Sequence, residues 1–540
     1  MRKIVFLLVC MVSVMAAHAQ NGPQATTRYG VLEGVCESGV NVFKGVPFAA
    51  PPVGENRWRA PQPLQPWQGV RSAKKFGDDP MQGNPFGDMG FDAEKKSEDC
   101  LYLNVWTPSK TMKDRLPVVI YFNGGGLIAG SGSEPRYSGR QMARHGIVAV
   151  TANYREGIFG FFSHPQLSKE TSYKGSGNYG FMDQAAAIKW VYENVEAFGG
   201  DPNQITIVGE SAGSMSVSAL LVSPLTRGMI ARAMASSGAV CGRRLLPLKD
   251  AEKQGTELLK KMGVNNIAEA RKMSADELLT KTMTGGLATY CLDGYFFTEE
   301  PTDAYIKGHQ QKVPLLVGRN SQEMTPQAYL GGKAPTLENL RPALERVFGD
   351  KTDEAMKVYG LNSDSDVLGK PGVDFASDEF IAYGTWLFGY LHAKTSGQPV
   401  YRYYYSHPRP EMRDKSLVAG LAGGVQKKGG DDVVTIPDNK EFKGAVHSAD
   451  IEYAMATLPT NRVYDWQPED FRVSDQFINY YANFIKTGNP NGLGLASWTS
   501  ITGKEQPTQL ILDVNSHEEY DAQFEQRNMF LMSVGGIGKR

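Results

Sequence analysis

Short apolar runs recur along the 540 residues, separated by polar stretches with helical spacing. Residues 118–122, 147–151, 205–208, 313–317 and 400–405 read as strands, and 510–512 as a weaker one. The runs are continuous rather than alternating, which suits strands covered on both faces. Between them, residues 181–195 carry Phe181, Ala185, Ile188, Trp190, Val191 and Val195 at helical spacings. Strand and helix in alternation predict an α/β fold with a central, mostly parallel twisted sheet flanked by helices. Sites in such sheets form beyond the carboxyl ends of the strands.

One strand end carries chemistry. The 205–208 run leads into Gly209-Glu210-Ser211-Ala212-Gly213, and the small-residue stretch 214–221 that follows reads as a helix. A serine on a sharp strand-to-helix turn exposes its hydroxyl, and glycines on either side relieve collisions across the turn. The helix starting there aims unpaired N–H groups at developing negative charge. Nucleophilic attack on a carbonyl is the chemistry suggested, and it requires an oxyanion hole, a base and an orienting acid. Gly124-Gly125-Gly126 directly follows the 118–122 strand, where side-chain-free amides can converge on an oxygen. Gly175-Ser176-Gly177-Asn178-Tyr179-Gly180 also fits G-x-G-x-x-G, but the polar residues before it form no strand, so it reads as a loop tightening into a helix and not as a dinucleotide site.

The ends and the charge narrow the setting. Arg2 and Lys3, the apolar run 4–17, and Ala17-His18-Ala19 before Gln20 predict a signal peptide over residues 1–19. The remainder, 20–540, reads as one domain, exported to the periplasm or the extracellular medium, with no later stretch suited to stable membrane insertion. Without Arg2 and Lys3 the 57 basic residues become 55 against 58 acidic ones, a net charge of about −3 that gives no reason to expect nucleic acid. Cys36, Cys100, Cys241 and Cys291 contain no C-x-x-C pair, so no zinc site is expected; four cysteines allow three disulfide pairings, which the sequence leaves open.

Several ordered segments resemble the type-B carboxylesterases, the α/β-hydrolase family that includes the cholinesterases. They are Phe43-Lys44-Gly45-Val46-Pro47-Phe48-Ala49, Ser97-Glu98-Asp99-Cys100-Leu101-Tyr102-Leu103-Asn104-Val105, Asn153-Tyr154-Arg155, Phe198-Gly199-Gly200-Asp201-Pro202 and Thr487-Gly488-Asn489-Pro490-Asn491. The resemblance implies an α/β-hydrolase fold with helical cap insertions. It matches the orienting acid to Glu323, although Met324 stands where relatives usually have glycine, and the base to His447 in Gly444-Ala445-Val446-His447-Ser448-Ala449-Asp450. His447 also completes the order Ser, acid, His that this fold uses. By the same resemblance the amides of Gly125, Gly126 and Ala212 bind the oxyanion, Ser237 supports the acid, and Glu210 and Ser216 line the site. Asn123 and Leu127 depart from the family pattern, suggesting a reshaped acyl pocket. The lack of tryptophan over 83–96 disfavours choline esters, and Pro80-Met81-Gln82 lacks the cysteine that relatives pair with the equivalent of Cys100.

The expected function is hydrolysis of a small-molecule carboxylic ester through an acyl-enzyme, without metal or cofactor. The alternatives are a binding or adhesion relative without chemistry and a serine peptidase of similar fold. The insertions over 241–311 and 329–397 are expected to roof the site and set specificity. Substrate and oligomeric state are not readable from the sequence.

Overall fold

The computed structural model describes residues 22–87, 89–282, 289–422, 424–428 and 442–536. The predicted leader, 1–19, lies outside the described residues. The largest sheet among them has eleven strands. Their spatial order is His517–Glu519, Gln509–Leu512, Val400–Tyr405, Leu315–Asn320, Arg232–Ser236, Gly200–Glu210, Leu116–Phe122, Val148–Ala152, Tyr102–Thr107, Val40–Pro47 and Val35–Glu37. The seven strands from Gln509–Leu512 to Val148–Ala152 pair parallel. Antiparallel strands complete both sides.

The continuous apolar runs divide between two cores. Val118, Ile120, Phe122, Ile205, Ile207, Ala233, Ala235, Leu315 and Val317 face one core. Their neighbours Val119, Tyr121, Val208, Met234 and Leu316 face the other. Successive strand side chains point to opposite faces, so a run with no polar interruption buries both. The helix Tyr179–Asn194, predicted over 181–195, and the helix Ala212–Val222 cover the first face; Pro468–Thr487 covers the second.

Two insertions follow successive parallel strands. Helices Leu248–Lys261, Ile267–Lys272, Ala275–Thr282 and Pro301–Lys307 lie between Arg232–Ser236 and Leu315–Asn320. A second group, Leu337–Phe348 through Tyr383–Thr395, lies between Leu315–Asn320 and Val400–Tyr405; it includes one π-helical turn, Asp378–Ala382. The C-terminal helix Ala522–Ser533 locks this second insertion through Arg527. Nε donates to Asp378 at 2.5 Å and Nη1 to Asp374 at 2.9 Å, and the Tyr359 hydroxyl donates to Asp378 at 3.1 Å. All three ionic side chains are buried. Removing one member of a buried ion pair strands the others, at about 3–5 kcal/mol. Arg527→Met is therefore expected to lower the urea midpoint by an amount equivalent to that loss with an unchanged m-value, and an unmoved midpoint would contradict this anchoring role.

The four described cysteines are free thiols, with Cys36 exposed and Cys100, Cys241 and Cys291 buried. No helix among the described residues is long and apolar enough to cross a membrane. The glycine segment is a loop over 175–178 that runs into the helix at Tyr179, as expected. Asn178, in left-handed conformation, caps the Tyr179–Asn194 helix, and its side-chain amide pairs with the backbone of Cys291 in both directions, at 2.8 and 3.1 Å.

Candidate active site

Ser211 sits immediately beyond the Gly200–Glu210 strand, with φ 56° and ψ −122°, before the Ala212–Val222 helix. A β-carbon on Gly209 would come within 2.2 Å of the Gly213 carbonyl, and one on Gly213 within 2.1 Å of Phe122 O. Both positions therefore admit glycine alone, and the strained serine is held by the packing around it.

His447 reaches Ser211 through a seam between two loops. Gln322 N donates to Ala445 O at 2.9 Å, Ala445 N to Ser321 Oγ at 2.8 Å, Gly444 N to Gln322 Oε1 at 2.9 Å, and Asn320 Nδ2 to Val446 O at 2.8 Å. The seam brings His447 and Glu323, 124 residues apart, to 2.6 Å between Nδ1 and Oε2. His447 Nε2 lies 2.9 Å from Ser211 Oγ. With Nδ1 donating to the carboxylate, Nε2 of the neutral ring is an acceptor facing the serine hydroxyl. Glu323 is fully buried. Its Oε1 accepts from Ser237 Oγ and from Asn320 N, both at 2.6 Å. Met324 does not disturb this loop; its backbone N–H donates to Ser377 Oγ at 3.3 Å.

Glu210 Oε1 accepts from Ser448 Oγ at 2.8 Å and lies 3.4 Å from His447 Nε2. Burial lifts the Glu210 carboxyl to about 7, against the pull of a charged His447. Burial would lower the His447 imidazole, but the Glu210 charge and the hydrogen bond and charge of Glu323 outweigh it and raise the ring to about 9. The Phe380 ring stands edge-on to His447, centroids 5.1 Å apart.

Gly125 and Gly126 follow the Leu116–Phe122 strand with φ of 103° and 66°. They line the same cavity as Ser211, Ala212 and His447. Ala212 opens its helix, where a backbone N–H has no intrahelical acceptor. Gly125, Gly126 and Ala212 thus share one cavity wall with Ser211. The cavity holds about 320 Å³. Both insertions line it, Cys241 to Arg243 and Tyr290 from the first and Asp378 to Ile381, Tyr383 and Gly384 from the second.

One expectation needs correction. Ser216 does not line the cavity: its Oγ donates to Ala212 O at 2.9 Å and accepts from Gln184 Nε2 at 2.9 Å, beneath the helix start. Asn123 and Leu127 are not among the residues that line the cavity. Asn123 Nδ2 donates to Glu156 Oε1 at 3.1 Å, and Leu127 packs in the core. The wall residues that the sequence reading missed include Arg136, Arg243, Tyr290 and Phe380. Of the other histidines, His392 is buried and its Nε2 donates to Val313 O at 2.8 Å, and His407 lies between Asp470 and Asp513, so both serve the scaffold.

A serine turn at the carboxyl end of a parallel strand, with a buried histidine and glutamate meeting it from later loops, is the arrangement of an α/β-hydrolase. The profile of the carboxylesterase family matches residues 21–530, and the chain belongs to that family. It is similar to fumonisin B1 esterase of Sphingopyxis macrogoltabida, 41% identical over 374 residues that cover 66% of each chain. It is also similar to para-nitrobenzyl esterase of Bacillus subtilis, 31% identical over 475 residues covering 82% of this chain and 91% of that one. Among solved structures it resembles the Geobacillus stearothermophilus carboxylesterase with a TM-score of 0.77 and 29% identity, covering 93% and 99% of the two chains. The protein is a carboxylesterase.

Proposed function

We propose that hydrolysis proceeds through an acyl-enzyme on Ser211, with His447 as base and Glu323 as the group that orients it. The Ser211 Oγ–His447 Nε2 distance of 2.9 Å, in line with the 2.6 Å contact to Glu323, carries this reading. Ser211 Oγ attacks the ester carbonyl carbon as its proton passes to Nε2. Gly125, Gly126 and Ala212 donate to the oxyanion that forms. Collapse expels the alcohol, which takes the proton from Nε2. Water, deprotonated by the same nitrogen, then attacks the acyl-enzyme and releases the acid. Glu323 fixes the tautomer and stabilises the imidazolium without taking its proton. Ser237 and Asn320 N hold Glu323 from the far oxygen.

The test is a matched pair of nitrophenyl ester and nitroanilide with the same acyl group. The ester is expected to be preferred and to release a burst of nitrophenol stoichiometric with enzyme. Preferential amide cleavage would favour a peptidase, and no turnover of either would favour a binding role. Export over the 1–19 leader is part of the proposal, and a mature chain beginning at Gln20 is the expected result of N-terminal sequencing.

The base must be neutral to act, and its pKa is raised, so kcat/KM is expected to fall as pH drops through about 9. Glu210→Gln removes a charge 3.4 Å from Nε2 and lowers the imidazole. The acid limb should move to lower pH by about 1–3 units. Because the groups titrate together, the limb belongs to the pair. An unmoved limb would contradict the role given to the Glu210 charge.

A further inference from the structure

Two arginines on the cavity wall take no part in ester hydrolysis at Ser211. Arg136 and Arg243 both line the space that holds Ser211 and His447. Arg136 belongs to the turn Pro135–Tyr137 and is only 7% exposed. Its Nε lies 2.8 Å from Glu134 Oε1, and Nη2 donates to the Tyr137 hydroxyl at 3.3 Å. Nη1 is buried with no hydrogen-bond partner among the described residues. Native proteins keep few such donors, so the guanidinium keeps hydrogen-bonding capacity beyond its pair with Glu134. Arg243 enters from the first insertion and is exposed. Nη2 donates to the backbone oxygen of Glu379 at 2.7 Å, and its fork has no carboxylate partner among the described residues, whereas its neighbour Arg244 takes Asp303.

Two of the three acids on the same wall are held by other side chains. Asp378 is held by Arg527 and the Tyr359 hydroxyl, Glu210 by Ser448, and Glu379 is a buried side chain. A guanidinium presents a planar fork that matches a carboxylate. The cavity lies at the small end of the ~300–1,000 Å³ typical of ligand sites, so the reacting ester and the recognised anion belong to one compact molecule.

We propose that this enzyme selects esters that carry a free carboxylate, bound by Arg136 and Arg243. The inference rests on Ser211 being the reacting group. A carboxylate can be carried on the acyl side, as in a half-ester of a dicarboxylic acid, or on the alcohol side, as in an ester of a hydroxybenzoic acid.

Two substrate pairs test it: mono-nitrophenyl glutarate against nitrophenyl butyrate, and 3-butyryloxybenzoate against phenyl butyrate. In at least one pair the wild type is expected to favour the anionic member in kcat/KM by about tenfold or more. Arg136→Met and Arg243→Gln should each lower that anionic-to-neutral ratio by about 10- to 100-fold, the loss expected for a charge-assisted hydrogen bond. The pair in which the ratio falls identifies the side that bears the carboxylate. Arg243 is exposed, so its substitution gives an answer even if Arg136→Met fails to fold. Equal use of anionic and neutral members in both pairs, or a ratio that Arg243→Gln leaves unmoved, would overturn the proposal. Neutral-ester turnover separates this from the underlying reading. If Ser211→Ala hydrolyses nitrophenyl butyrate as fast as wild type, the role of Ser211 falls, and the carboxylate site with it.

Discussion

Ser211→Ala is expected to lower kcat on a nitrophenyl acyl ester by about 10⁶, the scale on which removal of the nucleophile disables a Ser-His-acid hydrolase. The hydroxyl occupies the turn between the Gly200–Glu210 strand and the Ala212–Val222 helix, and alanine fits the same backbone. The loss should therefore be chemical and not structural. Oxyanion donors and substrate binding remain, so about 10³–10⁴ of rate over the uncatalysed reaction should survive. A steady-state comparison at matched folding measures this. Activity within tenfold of wild type would remove Ser211 from the reaction.

Glu323→Gln should lower kcat by about 10⁴ while leaving the fold in place. The reason lies in how the carboxylate is held. Asn320 N and Ser237 Oγ both donate to Oε1, so a glutamine there turns its carbonyl oxygen toward them. Its amide N–H then faces His447 Nδ1, 2.6 Å away in the parent side chain. Nδ1 becomes an acceptor, the proton moves to Nε2, and the ring can no longer take one from Ser211. The change should fall on kcat far more than on KM. A loss of less than tenfold would mean that the glutamate does not set the tautomer.

Much of the scaffold was legible because its physics is local. The 400–405 strand is observed as Val400–Tyr405, and the 205–208 run is the core of Gly200–Glu210. Both are rich in apolar and aromatic residues, interrupted only by Thr206 and Arg402, and are buried on two faces. Arg232–Ser236 escaped notice because a short strand of Ala and Met between polar ends carries little apolar signal, yet it lies at the sheet centre beside the Ser211 strand. The Pro468–Thr487 helix, with Val473, Phe477, Tyr480 and Phe484 inward, carries a readable helical period.

The site divides in the same way. Ser211 announced itself because strand, turn and helix are contiguous. His447 and Glu323 did not, since the Ser321–Gln322 seam to Gly444–Val446 is a tertiary event, and only likeness to a family pointed to them. Arg136 was invisible for a further reason. An arginine next to proline reads as solvated surface, and it becomes a cavity wall only when its turn is pinned, as by Thr457 Oγ1 donating to Arg136 O at 3.0 Å. Residues from two insertions line the cavity, so its composition follows from neither alone.

Mapping the adduct of a fluorophosphonate by mass spectrometry addresses the central assignment most directly. The expected result is one adduct per chain, on the peptide containing Ser211, formed in step with loss of esterase activity and absent from Ser211→Ala. Full activity after complete modification of Ser211, or inactivation with the adduct on another residue, would contradict it.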